Sequence, residues 1–152
     1  MRGENPGGWG KQGRRRAHFR FPQPVVLLLL LGCGRPIGPR PIAMGTPCSA
    51  CGMTVQDLKF ACERRSDRAW RVYDSIECLL SEGSAGRIYL ADYDAGTLHA
   101  ADSMWVVHGE FPSPMGGGYV AFLDRGAANE IAGSTQGQVN RLEHFASPVA
   151  TP

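Results

Sequence analysis

Apolar and polar positions settle into element-sized patterns only from about residue 59 onward. Residues 59–65 (KFACERR) and 69–74 (AWRVYD) are short alternating runs split by Ser66-Asp67-Arg68, the pattern of a β-hairpin. Residues 74–83 (DSIECLLSEG) change to helical spacing, with Ile76, Leu79 and Leu80 on one face. Asp74 as N-cap, Glu77 three positions later and Gly83 at the end predict a capped helix. Residues 86–93 (GRIYLADY) then predict a strand.

The same order recurs downstream. Residues 97–111 link the two stretches, and MWVVH (104–108) predicts the first strand of a second unit. GYVAFLD (118–124) predicts a strand, DRGAANEIAGS a helix starting at Asp124, and GQVNRLEHF (137–145) a further strand. Strand, Asp, helix, Gly and strand follow at nearly equal spacing in both halves, 12 positions from Asp74 to Gly86 and 13 from Asp124 to Gly137. The expected fold class is α+β, with two ββαβ-like units from an internal duplication in one small domain over residues 48–145.

The first 32 residues do not belong to this pattern. A basic stretch precedes seven consecutive apolar residues, Val25 to Leu31. That is too short to span a bilayer as a helix, which takes about 20 residues. It suits a secretory signal peptide over residues 1–32. The segment ends Leu30-Leu31-Gly32-Cys33, which resembles the lipobox of bacterial lipoproteins, so Cys33 is the expected lipidation site. Residues 34–47, rich in Pro and Gly, read as a flexible tether. Residues 146–152 read as a disordered tail.

Charge changes meaning once the leader is set aside. Of 16 Lys and Arg and 14 Asp and Glu, the leader holds six and one, leaving 10 basic and 13 acidic residues, net −3. The basicity of the whole chain therefore says nothing of nucleic acid.

Candidate chemistry rests on sulfur. Cys48 and Cys51 form a C-x-x-C, and Cys51-Gly52-Met53 places a thiol and a thioether two positions apart around a residue that permits a bend. Soft sulfur donors favour Cu(I) over hard cations. Met115, between Pro114 and three glycines, is the candidate third donor, and His108 a possible added ligand or gate. Two other readings stay open. Cys48 and Cys51 can be a thiol–disulfide redox pair. Cys48, Cys51, Cys62 and Cys78 match a zinc site in ligand number, although Cys62 and Cys78 stand alone and suit buried core positions or a disulfide. No Ser–His–Asp set, phosphate loop or catalytic carboxylate pair is present in the sequence, so no enzyme is expected.

Taken together, CSACGMTVQDLKFACE, VYDSIECLL, IYLADYDAGTLHAADSMWVVH and SPMGGGYVAF resemble the NosL family, in order, across residues 48–145. SIECLL departs from the family pattern, with Asp74 kept. The resemblance implies a copper-binding accessory lipoprotein with two ββαβ units, Cu(I) on Cys51, Met53 and Met115, and no catalysis. It also implies a copper-receiving client, nitrous oxide reductase or another cuproenzyme, and a lipid anchor at the cell membrane or outer membrane facing the periplasm. The competing expectations are a redox lipoprotein using Cys48 and Cys51, or a structural lipoprotein without metal.

Overall fold

The structure, a computed structural model, describes residues 38–67 and 69–146. The leader, Cys33 and residues 147–152 lie outside the described residues. Seven strands, three α-helices and one 3-10 turn at Ala101–Ser103 occur among the described residues: β1 Cys62–Ser66, β2 Ala69–Tyr73, α1 Ile76–Ser81, β3 Arg87–Ala91, β4 Leu98–Ala100, β5 Trp105–His108, β6 Tyr119–Phe122, α2 Arg125–Ser134, β7 Gln138–Asn140 and α3 Leu142–Phe145. No helix among them is long and apolar enough to cross a membrane.

Two antiparallel sheets form. The first has the order β2-β1-β3-β4 and the second β6-β5-β7. In each, the first strand of the unit is central, flanked by its hairpin partner and by the strand that follows the helix. The α+β class and the ββαβ order are therefore as expected from the pattern. β1 and β2 pair from Cys62 with Tyr73 to Ser66 with Ala69, which makes them the predicted hairpin.

The second sheet is apolar on both faces, and this holds the halves together. Val106 and Ala121 look into a core shared with Cys62, Tyr73, Leu79 and Leu90 of the first half. Val107, Val120 and Phe122, offset by one residue, look the other way onto Ala128 and Ala132 of α2. Asp92, only 7% exposed, ties the sheets directly. Its carboxylate accepts the Leu123 N–H at 3.0 Å and the Ala95 N–H at 3.2 Å. The next residue, Tyr93, donates its N–H to Ala121 O at 2.8 Å.

Four expectations change. Ser75, not Asp74, is the N-cap of α1, its hydroxyl accepting the Cys78 N–H at 3.4 Å, so Glu77 falls one position short of a capping box. Residues 137–145 are not one strand. β7 stops at Asn140 because Arg141 turns inward, donating to Met104 O at 2.6 Å and lying 3.7 Å over the Trp105 ring. Leu142 then starts α3. Part of the expected linker pairs as β4, with Tyr89 opposite Ala100. Residues 40–47, read as tether, are bound to the sheet: Arg40 donates its N–H to the buried Glu63 carboxylate at 2.7 Å and lays its guanidinium 4.7 Å over Trp70.

Candidate metal centre

The Cys-Gly-Met segment closes on itself before it closes on anything else. Pro47 and Thr54 form an antiparallel bridge. Inside it Cys48 donates its N–H to Met53 O at 2.6 Å, and Gly52 donates to Cys48 O at 3.0 Å. Gly52 has φ +76°, a conformation that a side chain would strain, so the residue read as permitting the bend does make it. The Ser49 N–H reaches Val72 O at 2.8 Å and pins this loop to β2. Cys48 is thereby buried and Cys51 exposed.

Pinning to β2 matters because β2 runs straight into Asp74. The Asp74 carboxylate is 3% exposed, and the Cys51 thiol donates to it at 3.8 and 3.9 Å. With Ser75 capping the helix, Asp74 is free to face the loop. One turn on, α1 presents Cys78, also buried. One donor atom each from Cys48, Cys51, Asp74 and Cys78 lies within 4.8 Å of all the others.

Burial governs these thiols. It pushes Cys48 up, against opposing hydrogen bonds from the backbone of Cys51, Asp74 and Ala50. It pushes Cys78 up further, reinforced by the hydrogen bond with Asp74. Both therefore hold their protons at neutral pH until something displaces them. Cys62 is also driven well up by burial, and its thiol donates to Ser75 O at 3.3 Å, outside the donor group. Among the described residues the four cysteines, Cys48, Cys51, Cys62 and Cys78, are free thiols, so the disulfides weighed from the sequence between them are not formed.

Met53 and Met115 are placed differently from core residues. They are 47% and 43% exposed, whereas Met104 is fully buried. Met53 sits on the Cys48–Met53 loop itself. The Met115 loop docks on α1 beside Cys78: the Ser113 hydroxyl donates to Glu77 Oε1 at 2.6 Å. Gly117 packs so close to Glu77 that a Cβ there would meet its Cγ at 2.3 Å. His108 lies outside the donor group, its ring stacked on Tyr119 at 4.2 Å with Phe145 against its edge.

The structure thus gathers Cys48 and Cys51 from the expected residues and adds Asp74 and Cys78. Sequence reading had assigned Asp74 to a cap and left Cys78 as a core residue, a disulfide partner or a zinc donor. The local signal that pairs them is the four-residue spacing, which sets two side chains on one side of a helix start.

No family model matches this sequence, and no curated protein matches it. Among solved structures it is similar to the copper chaperone NosL from Shewanella denitrificans, with a TM-score of 0.60 and 17% identity, covering 71% of this chain and 95% of that one. The chain has a NosL-like fold.

Proposed function

We propose that this chain is a copper metallochaperone that carries Cu(I) as cargo on Cys51, Met53 and Met115. The observation that supports it best is an exposed thiol two residues from one exposed thioether, with a second thioether on a loop docked to the adjacent helix. Thiolate and thioether donors suit a soft monovalent ion and bind hard cations poorly. The likeness to a copper chaperone points the same way.

The chain's own groups do two things here. Asp74 accepts the Cys51 S–H, orienting the sulfur. The Glu77–Ser113 hydrogen bond holds the Met115 loop in place. Exposure of Cys51 lets an incoming ligand reach the cargo, as release demands. We further propose a cuproenzyme client, the copper-sulfide centre of nitrous oxide reductase being the first to test. A lipid on Cys33 would confine the chain to the periplasmic membrane surface, two or more acyl chains being needed for stable anchoring.

The test is titration of the reduced full chain with Cu(I) against a competing chelator. One ion should bind, with affinity cut by Cys51→Ala, Met53→Leu and Met115→Leu. Unchanged affinity in all three overturns the proposal. A redox protein using Cys48 and Cys51 would instead show a two-electron couple indifferent to both methionine substitutions. Burial of Cys48 counts against it, since a reactive thiol needs a lowered pKa.

A further inference from the structure

We propose that the outer face of the first sheet, where residues 39–42 cross it, is a membrane-binding surface that takes the phosphate headgroups of an anionic phospholipid bilayer. The choice of partner rests on the membrane location proposed above. The face itself belongs to the folded chain and needs no acyl anchor.

Strand alternation puts Arg65, Trp70 and Arg87 on one face of the sheet. Arg65 of β1 stands directly opposite Trp70 on β2 and Arg87 on β3. Arg40 crosses above them, its guanidinium 4.7 Å from the Trp70 ring, with that of Arg65 at 5.7 Å. Among the described residues none of these three arginines has an ion pair, whereas Arg64 and Arg71 both pair with Glu82. The acid on the same face, Glu63, is buried and takes the Arg40 N–H. Asp102 and Glu143 border the cleft beside Arg87 and stay outside ion-pair range. Like charges directly opposite on a sheet cost stability. A phosphate between two guanidinium forks removes that cost and gains bidentate hydrogen bonds.

The surroundings select a bilayer among anions. A groove of about 320 Å³ continues the face, walled by Pro41, Ile42, Leu58 and Leu98 with Arg40 on its lining. Guanidiniums and a half-buried indole beside an apolar wall match the boundary between headgroups and acyl chains, where basic and aromatic side chains settle. Charge points the same way. Beyond the leader the chain is net −3, with 10 basic and 13 acidic residues, so an anionic bilayer repels it as a whole. It can approach only with a locally basic face turned inward. Reach agrees as well. Gly38 follows Cys33 by five positions, which is at most about 18 Å of extended chain. The chain after Gly38 is fastened to this same face through Arg40, so a lipid on Cys33 brings the bilayer to this side. The Arg65–Trp70 pair lies toward the turn of the β1–β2 hairpin, while Cys62 and Tyr73 pair at the other end, next to Asp74. A bilayer at the turn leaves the metal-centre end for a client.

Vesicle binding tests the face. The reduced full chain should sediment with vesicles of equimolar phosphatidylcholine and phosphatidylglycerol, and far more weakly with phosphatidylcholine alone. Each arginine should be worth about fivefold, so Arg65→Gln with Arg87→Gln should cut binding about 25-fold. Arg125→Gln removes an exposed arginine stacked on Trp105 in the second unit and should leave binding unchanged. The leader is common to every variant, so these differences belong to the folded face. With brominated acyl chains in the vesicles, tryptophan emission should be quenched, less so in Trp70→Phe and no less in Trp105→Phe. Unchanged Cu(I) affinity in the double arginine variant controls for folding. Equal binding to both vesicle types, equal losses from Arg87→Gln and Arg125→Gln, or quenching that survives Trp70→Phe in full overturns the proposal. A chain that ignores the vesicles and binds polyglutamate through these arginines would give the face to an acidic protein, which also overturns it. A chain found without lipid on Cys33 that still binds anionic vesicles in this pattern would remove the anchor and support this face.

Discussion

The two ββαβ units differ most at one junction, where the second strand meets the helix. In the second unit Asp124 immediately precedes α2 and caps it, its carboxylate accepting the Ala127 N–H at 2.8 Å while exposed to solvent. In the first unit Ser75 stands between Asp74 and α1 and takes over the cap. Asp74, relieved of that bond, is buried against Cys48, Cys51 and Cys78. Both junctions are two residues long, Asp74-Ser75 and Leu123-Asp124, so moving the aspartate one position earlier, with a serine in the cap position, turns a structural carboxylate into a site carboxylate. The second unit has the same sheet order and no cysteine, so a metal position needs both the freed aspartate and the thiols around it.

The sharpest way to break this contrast is to remove the sulfur that faces Asp74. Cys51→Ala should lower Cu(I) affinity by at least about 100-fold, read by chelator competition. Next is pH. Burial raises Cys48 and Cys78, so both are protonated at neutral pH, and a thiol must lose its proton to bind. Protons compete more strongly as pH falls, so Cu(I) affinity should rise with pH by about tenfold per unit for each proton displaced, measured between pH 6 and 8.

Asp92 adds hydrogen bonds to the apolar packing that joins the halves. Asp92→Ala leaves the Leu123 and Ala95 N–H groups without their acceptor and should cost about 2–3 kcal/mol in urea unfolding, with metal affinity in the folded fraction retained. Gly117→Ala must push Glu77 or the Met115 loop aside. It should lower Cu(I) affinity about tenfold, roughly 1.4 kcal/mol. The smallest effect sharpens the comparison most. Asp124→Ala should cost about 1 kcal/mol of stability through the lost cap and leave Cu(I) affinity unchanged. Asp74→Ala should do the reverse, weakening Cu(I) while Ser75 keeps the helix capped.

Much of the fold was legible along the chain. The β1–β2 hairpin, the α2 cap at Asp124 and the glycine bend at Gly52 each depend on neighbours a few residues apart, and all three form as read. The α1 cap was misplaced by one because Asp and Ser are near-equal N-caps and stood side by side. Arg141 ended β7 early through a contact with Met104, 37 residues away, which no local pattern encodes. The site divides likewise. Cys51, Met53 and Met115 could be singled out by donor softness and glycine-rich surroundings, and the two methionines are indeed exposed. Cys78 entered only by cysteine count and could not be told from Cys62, because a cysteine in an amphipathic helix looks the same whether it packs or ligates.

Residue type and short-range spacing thus dictated which donors exist and where the chain turns, since both follow from properties each segment carries alone. Which donors meet was decided only when Ser49 fastened its loop to β2 and Ser75 released Asp74. The first of these joins positions 23 apart, and the burial that sets the thiols' protonation exists only once the core has closed.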